Sequence, residues 1–272
     1  EVLGNRDLFG GGALAAVHSS GLKAADLREL IRFFEHGKTF GSLLMVPEKL
    51  TVKLPKLKAL LEGVIKSGDS LAKSYAVQIQ GDYLQPARVL SRVYDAVVAN
   101  PPYMGGKGMN EGLKDFAKKH FADSKSDLFA MFMERGFSWC KEFGFNSMVT
   151  MQSWMFLSSY EGMREKLLSQ KTLSCMVHMG NGVMGIAFGT AATVMQHGHI
   201  ASYQGSFSYV ENSDLTDDNI PKEFPIKNDR LKTANADDFK KIPSSPIAYW
   251  VSEQVIHAFE NIPAIDNYSE FK

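Results

Sequence analysis

The chain has 272 residues, of which 44% are hydrophobic and 22% are charged, the composition of a globular protein with one large or two modest domains. Its 30 basic and 30 acidic residues cancel, which excludes a global cationic field and leaves any nucleic-acid binding to a local patch. No apolar run reaches membrane-spanning length and no signal peptide is recognisable, so no membrane association is predicted. Cys140 and Cys175 lie far apart in apolar surroundings, which predicts buried, reduced thiols in a cytoplasmic protein.

Residues 24–34 and 54–92 are predicted to be helical, because apolar side chains recur at helical spacing over residues 24–34 and 57–65. Residues 76–90 form another apolar region, whose type the spacing does not assign. Residues 41–46 resemble a short strand. Residues 9–12 (Phe-Gly-Gly-Gly) have no strand before them and no GxGxxG pattern after them, which favours a flexible turn over a phosphate or cofactor loop. Asp82 can be a cofactor-facing acid, although a single Asp is more often a turn or cap residue.

A short hydrophobic strand is predicted next. Residues 93–99 (Val-Tyr-Asp-Ala-Val-Val-Ala) are largely apolar and rich in valine, which is typical of a strand covered on both faces. Pro101 and Pro102 cannot donate hydrogen bonds to a strand ladder, so the strand ends there. Asn100 and Tyr103 are therefore expected at the carboxyl end of a strand, where open α/β sheets bind their ligands.

Further elements alternate along the chain as far as residue 206. A helix begins near Asp127, with Ser126 or Asp127 as its cap. The predicted order after that is a strand at 147–151, a helix at 159–169, and strands at 173–178 and 191–196. Alternation of this kind favours a parallel or mostly parallel sheet.

The last part of the chain has a different character. Residues 211–240 are rich in Asp, Asn, Lys and Thr and show little periodicity, which indicates a linker or exposed loops. Residues 243–250 are predicted to be rigid and extended, and residues 251–259 to be helical. No metal site is predicted, because the seven His are scattered without Cys or acidic partners at ligand spacing.

The residues after the predicted strand suit the binding of a flat amine. The Asn100 side chain offers a carbonyl oxygen that only accepts hydrogen bonds, and Pro101 holds its own carbonyl in one direction. Two converging acceptors suit an NH2 group, and Tyr103 offers a face on which a planar ring stacks. An adenine amine held in this way exposes its lone pair to an electrophile without a strong base. In duplex DNA the base must first be flipped out.

The Asn-Pro-Pro-Tyr motif (residues 100–103) resembles the catalytic motif of class I amino-methyltransferases that use S-adenosylmethionine. The agreement extends to the hydrophobic lead-in at residues 94–99, and to the order of the helix at 127–136 and the strand at 146–151. Met-Gly-Gly at residues 104–106 most resembles the large DNA adenine-N6 methyltransferases of restriction and phage-exclusion systems, the PglX type. The resemblance implies an α/β, Rossmann-like methyltransferase sheet with flanking helices.

The resemblance also implies roles for individual residues. Asn100 and the Pro101 carbonyl would bind the target amine, Pro102 would complete the motif, and Tyr103 would stack on the adenine. Phe188 is the candidate for a second stacking ring.

Met184 is a rival of Phe188 for that position, and an ordinary core Phe is the alternative reading. Asp82 would contact the adenine of the cofactor, S-adenosylmethionine. The implied partners are double-stranded DNA with a flipped adenine and other subunits of a defence system.

Two expectations concern what the chain contains. Residues 1–205 are expected to form part of the catalytic domain, and residues 206–272 a linker and the start of a DNA-recognition region, because residues 243–252 resemble a segment found between the two. The family's glycine-rich cofactor loop is not recognisable in the sequence and is expected upstream of Glu1, which would leave the sheet incomplete at its N-terminus. The chain alone is therefore expected to be inactive and to bind S-adenosylmethionine weakly.

Two alternatives remain open at the level of the sequence. The motif also suits a methyltransferase that acts on a protein glutamine or an RNA base, since both present a planar amide or amine. The other alternative is a noncatalytic binding fragment with a methyltransferase fold. The intact Asn-Pro-Pro-Tyr motif argues against this second alternative, and the missing cofactor loop argues for it.

Overall fold

The computed structural model describes residues 24–226 and 229–261, so the glycine-rich residues 9–12 lie outside the described part. The chain divides between Arg92 and Val93 into two compact units. No helix within the described ranges is long and apolar enough to cross a membrane.

The described part of the first unit, residues 24–92, is helical. Its helices are α1 Ala24–Phe33, α2 Gly37–Phe40, α3 Glu48–Thr51, α4 Leu54–Ser67, α5 Ser70–Ile79 and α6 Gln85–Leu90, with a wider helical turn over Gln80–Leu84. The apolar side of α4 packs into the core of this unit, which confirms the helix predicted from the spacing of its apolar residues. Lys53 holds α1 through Asp26 (2.6 Å) and Glu29 (3.0 Å). The strand predicted at residues 41–46 is wrong: Gly41–Leu43 is a single helical turn, and a strand without neighbours is unstable.

The described part of the second unit is built on one six-stranded sheet. Its strands are β1 Tyr94–Ala99, β2 Cys140–Met151, β3 Thr172–Met179, β4 Thr190–Gln196, β5 Gln204–Val210 and β6 Leu231–Asn235. Its helices are α7 Glu111–His120, α8 Leu128–Ser138, α9 Glu161–Gln170, α10 Ala236–Phe239 and α11 Glu253–Asn261. The strand order across the sheet is β1-β2-β4-β3-β5-β6. The α/β class and the flanking helices are as predicted, and Asp127 caps α8 as expected.

The sheet is mixed, which differs from the mostly parallel sheet expected. Only the β1–β2 and β3–β5 pairs are parallel, whereas the β2–β4, β3–β4 and β5–β6 pairs are antiparallel. The reason lies in the connection from β3 to β4, which has room for a short helical turn (Val183–Gly185) but not for a crossover helix. As a result β1, β2, β3 and β5 point the same way, and their carboxyl ends share one edge of the sheet.

β1 is an outer strand, and the prediction that it is covered on both faces is wrong. Among the described strands it pairs with β2 alone. The Val98 side chain is 78% exposed, while Val97 and Ala99 pack against the core. A valine-rich run predicts a strand, but it does not reveal whether neighbouring strands and helices cover both of its sides.

The main core extends beyond residue 206. It contains side chains of α8, α9 and strands β2 to β5, together with residues between 239 and 249. The domain boundary expected at residue 205 falls within β5, where Phe207 is fully buried. The segment expected to be a linker contains β6, which pairs with β5. Cys140 is buried as predicted, but Cys175 is exposed, beside an irregular step in the β3–β4 pairing.

Candidate active site

The Asn-Pro-Pro-Tyr motif leaves the sheet at the end of β1. Asn100 is exposed and Pro101 is buried beneath it. The Tyr103 hydroxyl lies 3.3 Å from the Asn100 Oδ1 and 3.2 Å from the carbonyl oxygen of Val149 in β2. Burial raises the pKa of Tyr103, so the hydroxyl is protonated at neutral pH and donates to these acceptors. Asn100 Oδ1 has a second lone pair for a ligand.

The Asp127 carboxylate fixes the residue after the motif. The Met104 N–H donates to the Asp127 Oδ1 (2.9 Å), and the same oxygen accepts from the Phe129 N–H in the first turn of α8 (3.2 Å). The Leu128 N–H donates in turn to the Met104 carbonyl (3.1 Å). Burial raises the pKa of Asp127. The motif is thus held between the end of a strand and the start of a helix, which gives it a fixed geometry.

Aromatic rings surround Tyr103. Phe188 lies edge-on to it with ring centroids 5.7 Å apart and an interplanar angle of 67°. Phe129 meets it from another side at 6.1 Å and 88°. Phe129 is fully buried, whereas Phe188 is 37% exposed and therefore presents ring surface to solvent. The structure brings together Tyr103 and Phe188, and the stacking role of Phe188 stays a prediction, while the rival Met184 lies in a left-handed backbone conformation with its side chain 61% exposed.

The residue beside Phe188 packs tightly against the end of β2. The Gln152 N–H donates to the Gly189 carbonyl at 3.0 Å. A Cβ atom on Gly189 would overlap the end of the Gln152 side chain, so a larger residue there would displace that side chain. The contact fixes the loop that carries Phe188 relative to the end of β2. Sequence reasoning did not find it, although Gln152 directly follows a predicted strand.

A polar chain continues from Gln152 through His178 to Tyr249. His178 Nε2 lies 2.6 Å from the Gln152 Oε1, and His178 Nδ1 lies 3.1 Å from the Tyr249 hydroxyl. Because Gln152 Oε1 only accepts, Nε2 carries the proton and Nδ1 accepts from the tyrosine. Burial lowers the pKa of His178 to about 4, so the ring is neutral at pH 7. The three residues are far apart in sequence, and no local pattern predicts that they meet.

The described residues do not by themselves fit S-adenosylmethionine. Open α/β sheets hold such cofactors on a glycine-rich loop between a strand and a helix. Within residues 24–92 every regular element is helical, so no such loop precedes β1 there. Asp82 is exposed in the helical turn Gln80–Leu84, and its assignment to the cofactor stays a prediction. The described residues also contain no cluster of three His, Cys, Asp or Glu side chains that would hold a metal ion.

The fold and the site together describe one class of protein. Its members are α/β proteins whose sheet carries, at its carboxyl edge, an amide acceptor, a tyrosine and a second aromatic ring. The sequence profile of the Eco57I restriction-modification methylase family matches residues 42–184, and the chain belongs to that family. The family membership predicted from the Asn-Pro-Pro-Tyr motif is thereby confirmed.

Two curated relatives match almost the whole chain. The chain is 45% identical over 270 residues to the adenine-specific methyltransferase BrxX of Escherichia coli O9:H4 (strain HS), covering 95% of this chain and 22% of that protein. It is 29% identical over 259 residues to the adenine-specific methyltransferase PglX of Lacticaseibacillus casei (strain Zhang), covering 90% and 21%. The chain therefore spans about a fifth of the length of these relatives.

Among solved structures, the chain is similar to a modification subunit of a putative type I restriction enzyme from Vibrio vulnificus YJ016. The TM-score is 0.43 and the identity 14%, over 62% of this chain and 42% of that one.

Proposed function

We propose that this chain carries the target-base half of a DNA adenine-N6 methyltransferase that acts in phage defence or restriction-modification. The reaction would transfer a methyl group from S-adenosylmethionine to the N6 amine of adenine. The observation that carries the proposal is the exposed Asn100 at the end of β1, with the Tyr103 hydroxyl 3.3 Å away and the Phe188 ring beside Tyr103. Membership of the methylase family and the two adenine-specific relatives support it.

In this proposal the motif binds the amine and activates it by position. The Asn100 Oδ1 and the Pro101 carbonyl accept its two hydrogens, which pyramidalises the nitrogen and directs its lone pair outward. The methylated nitrogen would then release one proton to water at this exposed site, so no titrating side chain is required at the centre. Pro102 keeps the backbone extended, so that the acceptors do not have to reorganise when the base arrives.

Tyr103 and Phe188 are proposed to hold the flipped base. A base that leaves the duplex loses stacking with its neighbours, and aromatic side chains replace part of that energy. The partly exposed Phe188 ring and the fixed Tyr103 ring supply two such surfaces. Double-stranded DNA is thus the proposed substrate. DNA recognition is proposed to involve the region that begins after residue 205, together with other subunits of a defence system.

Binding of the cofactor is proposed to require residues outside the described ranges. S-adenosylmethionine supplies an electrophilic methyl group when bound, and Asp82 remains the proposed contact to its adenine. Because the family's glycine-rich cofactor loop is not recognisable in the sequence, the 272-residue chain is expected to bind S-adenosylmethionine more weakly than micromolar. Isothermal calorimetry measures this directly. A micromolar dissociation constant would contradict the expectation and place the cofactor site within this chain.

The test of the proposed function is the substitution Asn100→Ala in the whole gene product. It removes an acceptor made for the transition state, and the loss of one such group lowers turnover by about 100-fold or more. The measurement is N6-methyladenine in the DNA of cells that express the variant. Asn261→Ala, which changes another exposed asparagine at the end of α11, is the matched control and is expected to leave methylation unchanged.

Two results would refute the assignment. One is wild-type N6-methyladenine with a folded Asn100→Ala protein. The other is methylation of a protein glutamine or an RNA base in place of DNA adenine, which would favour the alternatives that the motif allows.

A further inference from the structure

A cavity opens at the same sheet edge as the Asn-Pro-Pro-Tyr motif. Its volume is about 390 Å³, and its aromatic lining consists of Tyr209, Tyr249 and Trp250. We call it the Trp250 cleft. Pockets of this size accept small organic ligands, and no role in the proposed methyl transfer has been given to it.

Trp250 offers a flat, accessible surface on a rigid base. Its side chain is 52% exposed, although tryptophan is highly buried on average. Tyr249 lies edge-on beneath it with ring centroids 5.0 Å apart, and Tyr249 itself stacks on the buried Phe207 at 5.0 Å and 9°. The Tyr249 hydroxyl is held by His178. Trp250 is therefore anchored by its neighbour while its own ring faces solvent, as in a stacking platform.

Both signs of charge line the cleft. Arg230 is engaged by Glu211 (2.9 Å) and Asp214 (2.6 Å), so it is not the group we assign to a ligand. Lys232 and Asp229 also line the cleft, and both are exposed. An ammonium group meets phosphate oxygens, and a carboxylate accepts from the N–H groups of a base. A site that binds a nucleotide needs an aromatic face for the base, an acceptor for its N–H groups and a cation for its phosphate, and the cleft has all three.

The cleft is separate from the proposed target site. It lies by His178 in β3 and Tyr209 in β5, whereas Asn100 follows β1. In the order β1-β2-β4-β3-β5 these positions are three and four strands away from β1. At about 4.8 Å per strand the separation is about 14–19 Å. One base cannot occupy both places, but one DNA strand can reach both.

We propose that the Trp250 cleft binds one nucleotide, with its base stacked on Trp250, its N–H groups toward Asp229 and its phosphate at Lys232. In terms of the proposed function, this nucleotide is a base of the bound strand that flanks the target adenine. The recognition chemistry is the same for a free mononucleotide, so the test has to separate these two sources.

The test measures binding of a fluorescein-labelled single-stranded 12-mer to the 272-residue chain by fluorescence polarisation. Trp250→Ala is expected to weaken binding at least about fivefold, the lower end of what one base–aromatic stack contributes. Trp250→Phe is expected to retain most of the affinity. Lys232→Gln is expected to lower the slope of log K against log salt by about 1. Phe259→Ala, which removes another exposed aromatic ring in α11, is the matched control and should bind as the wild type does.

Cross-linking locates the bound base. With 5-iodouracil placed at single positions of the 12-mer, photo-adducts mapped by mass spectrometry are expected on Trp250 or Tyr209. Equal affinities of the wild type and a folded Trp250→Ala, or adducts that avoid the cleft altogether, would overturn the proposal. Competition by the four deoxymononucleotides at the affinity of the oligonucleotide would identify a free nucleotide as the ligand, whereas its absence would identify the strand.

Cross-linking of the Asn100→Ala variant keeps the two proposals apart. Its adducts are expected to map to Trp250 or Tyr209 as in the wild type, because Asn100 does not line the cleft, whatever happens to the overall affinity for the strand. This inference is tested by whether the Trp250 variants lose binding at the cleft. The proposed function is tested separately, by whether the Asn100 variant loses methylation.

Discussion

At the scale of single residues, the neutral His178 is the group whose charge state the structure constrains most directly. Its ring joins Gln152, beside the Phe188 loop, to Tyr249 at the base of the Trp250 cleft. With Nε2 as donor and Nδ1 as acceptor, both bonds require the neutral form. A second proton on the ring would remove the acceptor that the Tyr249 hydroxyl needs.

This geometry makes the stability of the protein depend on pH. The pKa of His178 is about 4 in the folded protein and about 6.5 in an unfolded chain, so protonation favours unfolding. Above pH 6.5 the contribution of His178 to the free energy of unfolding is constant. As the pH falls from 6.5 toward 4, that free energy decreases by about 1.4 kcal/mol per pH unit.

His178→Gln is expected to lack this pH-dependent loss, which chemical denaturation at pH 4.5 to 7 measures. Asp127, whose raised pKa has the opposite sign, is present in both proteins and cancels in the comparison. His257→Gln, at an exposed histidine of α11, should keep the wild-type profile. Parallel pH profiles for the wild type and His178→Gln would contradict a neutral His178.

At the scale of elements, a buried arginine joins two connecting segments. The Arg164 side chain in α9 is fully buried, and its guanidinium donates to the carbonyls of Trp154 (2.9 Å) and Leu157 (2.6 Å) after β2. It also donates to the carbonyls of Ser244 (2.7 Å) and Ser245 (3.2 Å). The segment that leads to Trp250 is therefore tied to the segment that follows β2.

Arg164→Met is expected to lower the free energy of unfolding by more than about 2 kcal/mol. It retains much of the side-chain volume but removes the donor from two buried and two partly buried carbonyls. Urea denaturation measures the loss. Arg28→Met, at an exposed position of α1, is the control and should change stability by less than about 0.5 kcal/mol. A similarly small effect at Arg164 would show that water or neighbouring groups satisfy those carbonyls.

At the scale of the whole molecule, β1 leaves one edge of the sheet open among the described strands. An outer strand with exposed apolar side chains is a site for pairing with another chain. Val98→Lys places a charge at its most exposed valine, so less self-association is expected in sedimentation experiments over a range of concentrations. Val77→Lys, at a 56% exposed position of α5, is the matched control. Equal self-association of the wild type and Val98→Lys would show that this edge is not the contact.

The sequence predicted the central features of the sheet unit from local patterns. The strand before Asn100 and the cap at Asp127 follow from residues close to one another in the chain. The resemblance left Phe188, Met184 and an ordinary core Phe open, so the contact of Phe188 with Tyr103 comes from the structure. The exposure of Val98 and the antiparallel placement of β4 did not follow, because both depend on which strands become neighbours. Contacts such as those of His178 with Gln152 and Tyr249 join distant positions, so no periodicity or spacing indicates them.

Because no described strand covers the outer edge of β1, the stability of this sheet also depends on the concentration of any strand that pairs there. Any strand that pairs with β1 binds the folded sheet and not the unfolded chain, so its binding raises the midpoint of unfolding in proportion to the logarithm of its concentration. A strand tethered to the sheet would act at a fixed effective concentration, and a separate one would act only when abundant. The position of Asn100, at the end of this strand, would then become better defined whenever the edge is filled.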